Sequence, residues 1–517
     1  MAAPRARRIN IPLRHVALAC GTMLFVLLAN VTRLQAFDAD RLGEDPRNRR
    51  TLMARFDRPR GDILLRDGTI VAASVENGDE GFRYRRVYPE GPLYVPVTGH
   101  LSVRGTTGVE RAEDGALSGR SLRMKVHSLV EGGETGATLR LTVDPRAQRA
   151  AYEGLRATGL RGAAVAIEPA TGAILAMASF PSYDPNLYTA FDAAELDRVD
   201  KLLRSDPAAP LLNRALQRTY PPGSAFEVVT SAAAFGSGRY RPTTDVGAPP
   251  APRLPGTGGG ARPRDAGGAS CGAGNLPLAD AFRLSCDTPF AKIGADLGQD
   301  ALREQAQAFG FDADDLTVPM PVAASVYPKS LDQAQTALSA LGRSGGRATP
   351  LMIAMLSAAI ANDGSLMRPY LVEEVRLDDG TRVDGAEPSR YRRALDEDEA
   401  DRLTAMMVTV TRPGGTGEAA AIPGVVVAAK TGTAKTGTAA AGGGRDHAVF
   451  TGFAPAASPR VAVGVVVEDG GAGGRVAAPV AKAIMRAVLE PVSPPQRSAA
   501  GSLPGMNGEL DEFDEFG

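Results

Sequence analysis

The chain has 517 residues, and its 58 Lys and Arg against 59 Asp and Glu give a formal charge of −1. This length implies two or three domains, and the balanced charge argues against nucleic-acid binding, which needs a basic stripe or a high pI. Trp is absent, aromatics are 5% of the chain, and four histidines and three cysteines are too scattered for a zinc site, so neither a metal nor a cofactor is expected.

In chain order, Arg5, Arg7, Arg8 and Arg14 precede an uncharged run from His15 to Thr32. At about 1.5 Å per residue this run reaches roughly 27 Å, enough to cross a bilayer core. The arginines before it and Asp38, Asp40, Glu44 and Asp45 after it place residues 1–14 in the cytoplasm and the bulk of the chain outside. A cleaved signal peptide is the alternative. A cut after Ala36 lacks the small residue required at Leu34, so an uncleaved single-pass anchor over 15–37 in the cell membrane is expected. Cys271 and Cys286 then lie in a compartment that permits disulfides. A bond between them is chemically reasonable, with unpaired thiols the alternative.

Residues 38–155 read as a β-rich pedestal with short strand-like runs at 61–65 and 138–143. From 156 to 490 the pattern changes to a larger α/β (α+β) domain. A hairpin is expected over 163–168 and 173–178. Helices follow at 224–235, 279–297, 331–341, 349–362 and 396–410. Strands at 425–429, 448–453 and 461–468 precede a closing helix at 480–489. The Gly/Pro-rich stretch 248–274 and the tail 491–517 should have no fixed fold. The tail's acids, interleaved with Leu510, Phe513 and Phe516, fit a solvated terminus better than a docking peptide.

Three short motifs carry chemistry. Ser224 follows Tyr220-Pro221-Pro222-Gly223 at a helix start, where free N–H groups favour an anion, although a serine there is most often only a cap. Ser285-Cys286-Asp287 falls in a helix-like context. Lys430-Thr431-Gly432-Thr433 follows a strand and offers donors to a carboxylate.

Their order and context raise the specificity. Arg60-Gly61-Asp62-Ile63, Gly105-Thr106-Thr107-Gly108-Val109-Glu110, Pro181-Ser182-Tyr183-Asp184-Pro185-Asn186, Asn213-Arg214-Ala215, Lys430-Thr431-Gly432-Thr433-Ala434 and Thr451-Gly452-Phe453-Ala454-Pro455 occur in that sequence. In this the chain resembles the class B penicillin-binding proteins, D,D-transpeptidases of the short actinobacterial type. The resemblance implies a penicillin-binding transpeptidase and serine β-lactamase-like domain. It also implies a role in cell-wall synthesis, with stem peptide or β-lactam as ligand and membrane proteins such as a glycosyltransferase as partners.

The family uses SxxK, SxN and KTG elements. The serine attacks a D-Ala-D-Ala carbonyl, the lysine accepts its proton, the SxN residues relay protons and hold the substrate amide, and the KTG strand takes the terminal carboxylate. In this chain Glu227 stands where the SxxK lysine should be and Asp287 where the SxN asparagine should be; only Lys430-Thr431-Gly432 is intact. Arg343 replaces an expected Gln, and Val449 an expected aromatic. With Lys430 against Glu227 and Asp287 the site sums to −1, and each like-charge contact with an anionic ligand costs up to about 4 kcal/mol at ~4 Å. The expected arrangement is a Glu227–Lys430–Asp287 ion-pair cluster that blocks the site. Glu227, with an ordinary carboxyl pKa, would be a poor base. Lys292 and Lys435 are the remaining candidates for a rescuing base. A pseudo-transpeptidase acting through partner binding is expected, an active D,D-transpeptidase being the alternative. On sequence alone, Glu227→Lys with Asp287→Asn is the minimal restoration.

Overall fold

An apolar run behind a basic segment opens the chain as a single long helix, α1 (Ala6–Ala36). Its stretch Leu13–Gln35, 23 residues with a mean hydropathy of 1.8, is long and apolar enough to cross a membrane. The structure, a computed structural model, describes residues 6–36, 55–78, 81–120, 136–248, 271, 274–434 and 446–491. Most of the 248–274 stretch, Lys435 and the tail beyond 491 lie outside these residues.

The pedestal is built on a six-stranded sheet. Its strands are β1 (Ile63–Leu64), β2 (Ile70–Glu76), β3 (Tyr84–Val87), β4 (Thr138–Leu141), β7 (Val372–Arg376) and β8 (Arg382–Gly385), in the order β8-β7-β4-β1-β2-β3. Two of these strands come from more than 200 residues downstream of β4, so the pedestal is closed by the later part of the chain. No local signal in 372–385 reveals that pairing. Inside it, Glu110 is fully buried and accepts from Arg60 Nε and Arg86 Nε, each at 2.6 Å, while Tyr88 donates its hydroxyl at 3.2 Å. Burial pushes the Glu110 carboxyl up, but the two guanidiniums outweigh it and hold the group below its ordinary value. Two of the quoted motifs, around Arg60 and Glu110, therefore meet in one buried ion cluster.

The second sheet has five antiparallel strands. They are β5 (Gly162–Ile167), β6 (Ile174–Phe180), β9 (Ala428–Ala434), β10 (His447–Ala454) and β11 (Val461–Val467), ordered β9-β10-β11-β5-β6. Helices α2 (Pro145–Ala157) and α8 (Gly473–Leu489) cover one face through Ala147, Ala151, Leu155, Ala481, Ile484 and Met485. The buried helix α6 (Pro350–Ile360) packs on the other. Burial on both faces explains why β11 reads as the continuous apolar run Val-Ala-Val-Gly-Val-Val-Val. Gly464 at its centre admits α6 closely; a Cβ there would lie 2.3 Å from Ala354 N.

Several element limits differ from the sequence expectation. Helix α2 starts before residue 156, behind an Asp144 cap that accepts from Arg146 N and Ala147 N, and belongs by packing to the five-stranded sheet. Its buried face is narrow, only Ala147, Gln148, Ala151 and Leu155, and three of those four are alanine or glutamine, so it carries little apolar bulk. Helix α8 begins at Gly473 and runs through Pro479, well before residue 480. The expected helix 279–297 is two helices, α4 (Leu278–Leu284) and α5 (Asp287–Leu297). Ser285 breaks it with a left-handed φ of 57°, and Cys286 N–H closes the turn onto the Ala281 carbonyl.

Candidate active site

Pro221-Pro222-Gly223 delivers the chain into a 3-10 turn, Gly223–Phe226, that continues as helix α3 (Glu227–Gly236). Residues three apart eclipse one another in a 3-10 turn, so Glu227 is stacked one turn below Ser224. Ser224 is 5% exposed and Glu227 fully enclosed. The α4–α5 break sets Ser285 beside them; as a non-glycine residue in the left-handed region it stores strain of about 1–3 kcal/mol, a common feature of functional sites. Lys430, Thr431, Gly432 and Thr433 lie within strand β9, not after a strand at 425–429 as the sequence suggested, and Lys430 pairs with Thr451 of β10. β9 is the sheet's edge, and an unpaired edge can take an extended peptide by main-chain hydrogen bonds. Gly432 lets it press on the nucleophile turn; a Cβ there would lie 3.0 Å from Ala225 N.

Lys430 is the centre of the arrangement. Its ammonium is fully buried, donates to Ser285 Oγ at 2.7 Å and to the Thr431 carbonyl at 3.1 Å, and lies 3.1 Å from Glu227 Oε2. The Phe282 ring lies beneath it at 5.3 Å. Thr431 turns its hydroxyl away, donating to Thr416 Oγ1 at 2.7 Å. Thr433 is half-buried.

Three expectations need correction. Asp287, fully buried, is paired with Arg343 Nη2 at 2.6 Å, a partner that the expected Glu227–Lys430–Asp287 cluster did not include. Adding Arg343 to the charge count brings the site from −1 to zero: Lys430 and Arg343 against Glu227 and Asp287. The Glu227 pKa is also not ordinary. Burial pushes it up to about 7, against the pull of Lys430, with the nearby Asp287 charge adding to the rise. The sequence signal for Arg343 was present, since a new arginine accompanies a new aspartate, but only the fold brings positions 56 residues apart together. Lys292 is exposed on α5 and Lys435 lies outside the described residues. No group of three or more His, Cys, Asp or Glu suited to a metal occurs among the described residues.

Cys271 and Cys286 are joined by a disulfide, Cα–Cα 6.1 Å. The bond ties Cys271 to the residue between Ser285 and Asp287. In the chain-entropy view, closing a loop of this length contributes about 3 kcal/mol. Mass spectrometry of unreduced peptides from exported protein should recover the linked pair; free thiols there would refute it.

A serine at a helix start, a serine at a left-handed break and a lysine on an edge strand are the arrangement of a serine acyl-transfer site. The family model for the penicillin-binding protein transpeptidase domain matches residues 162–486, and that for the penicillin-binding protein A dimerisation domain matches 60–136. The chain belongs to the penicillin-binding protein transpeptidase family. It is 43% identical over 502 residues to the peptidoglycan D,D-transpeptidase PbpA of Mycolicibacterium smegmatis, covering 93% of this chain and 99% of that one. PbpA of Mycobacterium tuberculosis is 38% identical over 501 residues, with the same coverage. The structure of penicillin-binding protein A from M. tuberculosis, as a ceftriaxone acyl-enzyme complex, superposes with a TM-score of 0.80 at 38% identity, covering 85% of this chain and all of that one.

Proposed function

We propose that this protein is a catalytically impaired penicillin-binding protein that serves peptidoglycan assembly by binding partners. It is held in the membrane by α1, with residues beyond 37 outside. The observation that carries this reading is the buried Glu227–Lys430 pair. Lys430 is the group that would draw a ligand carboxylate to β9, and its ammonium is already taken up by Glu227, Ser285 and the Thr431 carbonyl. An incoming carboxylate must compete with an internal one that loses no translational entropy by staying. The proton-accepting lysine is missing as well. The proposed partners are membrane proteins of cell-wall synthesis such as a glycosyltransferase, with stem peptide or β-lactam bound weakly or not at all.

One observation favours the other reading, an active D,D-transpeptidase. A carboxyl with a pKa of about 7 beside Ser224 is poised near the pH at which a general base works best. Fluorescent-penicillin labelling of the intact protein separates the two. The impaired reading expects none at Ser224, whereas the active reading expects labelling that Glu227→Gln abolishes. We favour the impaired reading because the carboxylate that would accept the proton is charge-paired with Lys430.

A further inference from the structure

Gly342 is in the left-handed region at φ +65°, and a Cβ there would sit 2.2 Å from the Gly223 carbonyl oxygen. Gly223 N–H donates back to the Gly342 carbonyl at 3.3 Å, and Arg343 N–H donates to the Leu338 carbonyl at 3.2 Å. The backbone of Arg343 is thereby fastened to the turn that carries Ser224. From this anchor its side chain, 18% exposed, reaches Asp287, 0% exposed, at 2.6 Å. Removing one partner of a buried ion pair is strongly destabilising, so the guanidinium supplied by that loop supports the buried Asp287 carboxylate. Among the described residues, Glu227 is paired with Lys430 and Asp287 with Arg343.

We propose that Arg343 is a positioning residue of this site: its ion pair with Asp287 fixes the Ser285–Asp287 segment against the Ser224 turn, so that Glu227, Asp287 and Arg343 form one coupled charge exchange. The consequence is that reversing Glu227 and Asp287 alone leaves Arg343 without its Asp287 partner, in a site that then carries two ammonium groups. The minimal restoration is then three substitutions, not two. This deepens the impaired reading and rests on it only for its labelling arm.

The test has two arms on the full-length protein. In the first, melting temperatures are compared for the unmodified protein, Asp287→Asn, Arg343→Gln and the double variant. Arg343→Gln should lower the melting temperature by about 5 °C, and adding Asp287→Asn should recover most of that loss. Shifts that simply add would overturn the pair as a coupled unit. Arg343→Lys, which keeps the charge without the planar fork, should fall between. In the second arm, fluorescent-penicillin labelling is compared for folded Glu227→Lys/Asp287→Asn and Glu227→Lys/Asp287→Asn/Arg343→Gln. The triple variant should label at least about tenfold faster, equivalent to one lost like-charge contact. Equal rates, or a folded triple variant that does not label, would overturn the positioning role. Rapid labelling of the unmodified protein would instead sink the impaired reading, leaving the melting cycle to decide the ion pair.

Discussion

Fluorescent penicillin should leave Ser224 of the unmodified protein unlabelled, at a rate roughly 10²–10⁴ below that of a site with an intact proton acceptor. Acylation requires the serine proton to be removed, the ring carbonyl to be held and the ligand carboxylate to be drawn toward β9. On the impaired reading Glu227 opposes the first requirement, because its charged form is engaged by Lys430 at 3.1 Å. On the impaired reading Asp287 opposes the second, because its carboxylate, paired with Arg343, has no amide N–H to offer. The third is impaired because the ammonium that would attract the carboxylate is enclosed. The helix start at Ser224 persists and allows a small residual rate. Gel fluorescence against a Ser224→Ala control is the measurement. Rapid, stoichiometric labelling that Ser224→Ala abolishes would show the site to be catalytic.

Replacing Lys430 by Met should cost about 3–5 kcal/mol of stability at pH 8, and much less at pH 5. At pH 8 the substitution removes the pull of Lys430, so the enclosed Glu227 must stay ionised without a counter-ion or take up a proton against the solution pH; at pH 5 it already holds one. The sign for the unmodified protein follows from the same group. Its folded pKa, about 7, lies above its ordinary 4.5, so the folded state binds this proton more tightly. The stabilisation from that proton is complete below about 4.5 and is lost as the pH rises through about 7, a change on the order of 3 kcal/mol. Glu227→Gln should remove this component of the pH profile. Urea midpoints across pH 4.5–8 for the three proteins give the comparison. A Lys430→Met penalty that stays constant with pH would mean that Glu227 does not titrate there.

The sequence by itself determined the family, the sheet-and-helix plan and the identity of the altered positions. These rest on local patterns: an apolar run behind arginines, hairpin punctuation at 169–172, and motifs whose order along the chain is their signal. It was less able to place limits that tertiary contacts set. Helix α2 has an amphipathic pattern, but its buried face is built from Ala147, Ala151 and Leu155, too little apolar bulk to stand out until the five-stranded sheet is there to bury it. Strand β9 extends through Lys430 because β10 pairs with it residue by residue, and the break at Ser285 is a backbone conformation no propensity demands. The pedestal sheet is completed by 372–385 through pairings more than 200 residues long in sequence.

The charges at the site divide in the same way. That an acid replaces a lysine at 227 is legible in the letters. That it titrates near neutrality is a property of complete burial, which outweighs an adjacent ammonium. That Asp287 is neutralised by Arg343 is a property of a glycine-pinned loop lying on the Ser224 turn. Composition fixes how many charges a chain carries, but the energy of each depends on the distance and dielectric around it, and only the folded chain sets those.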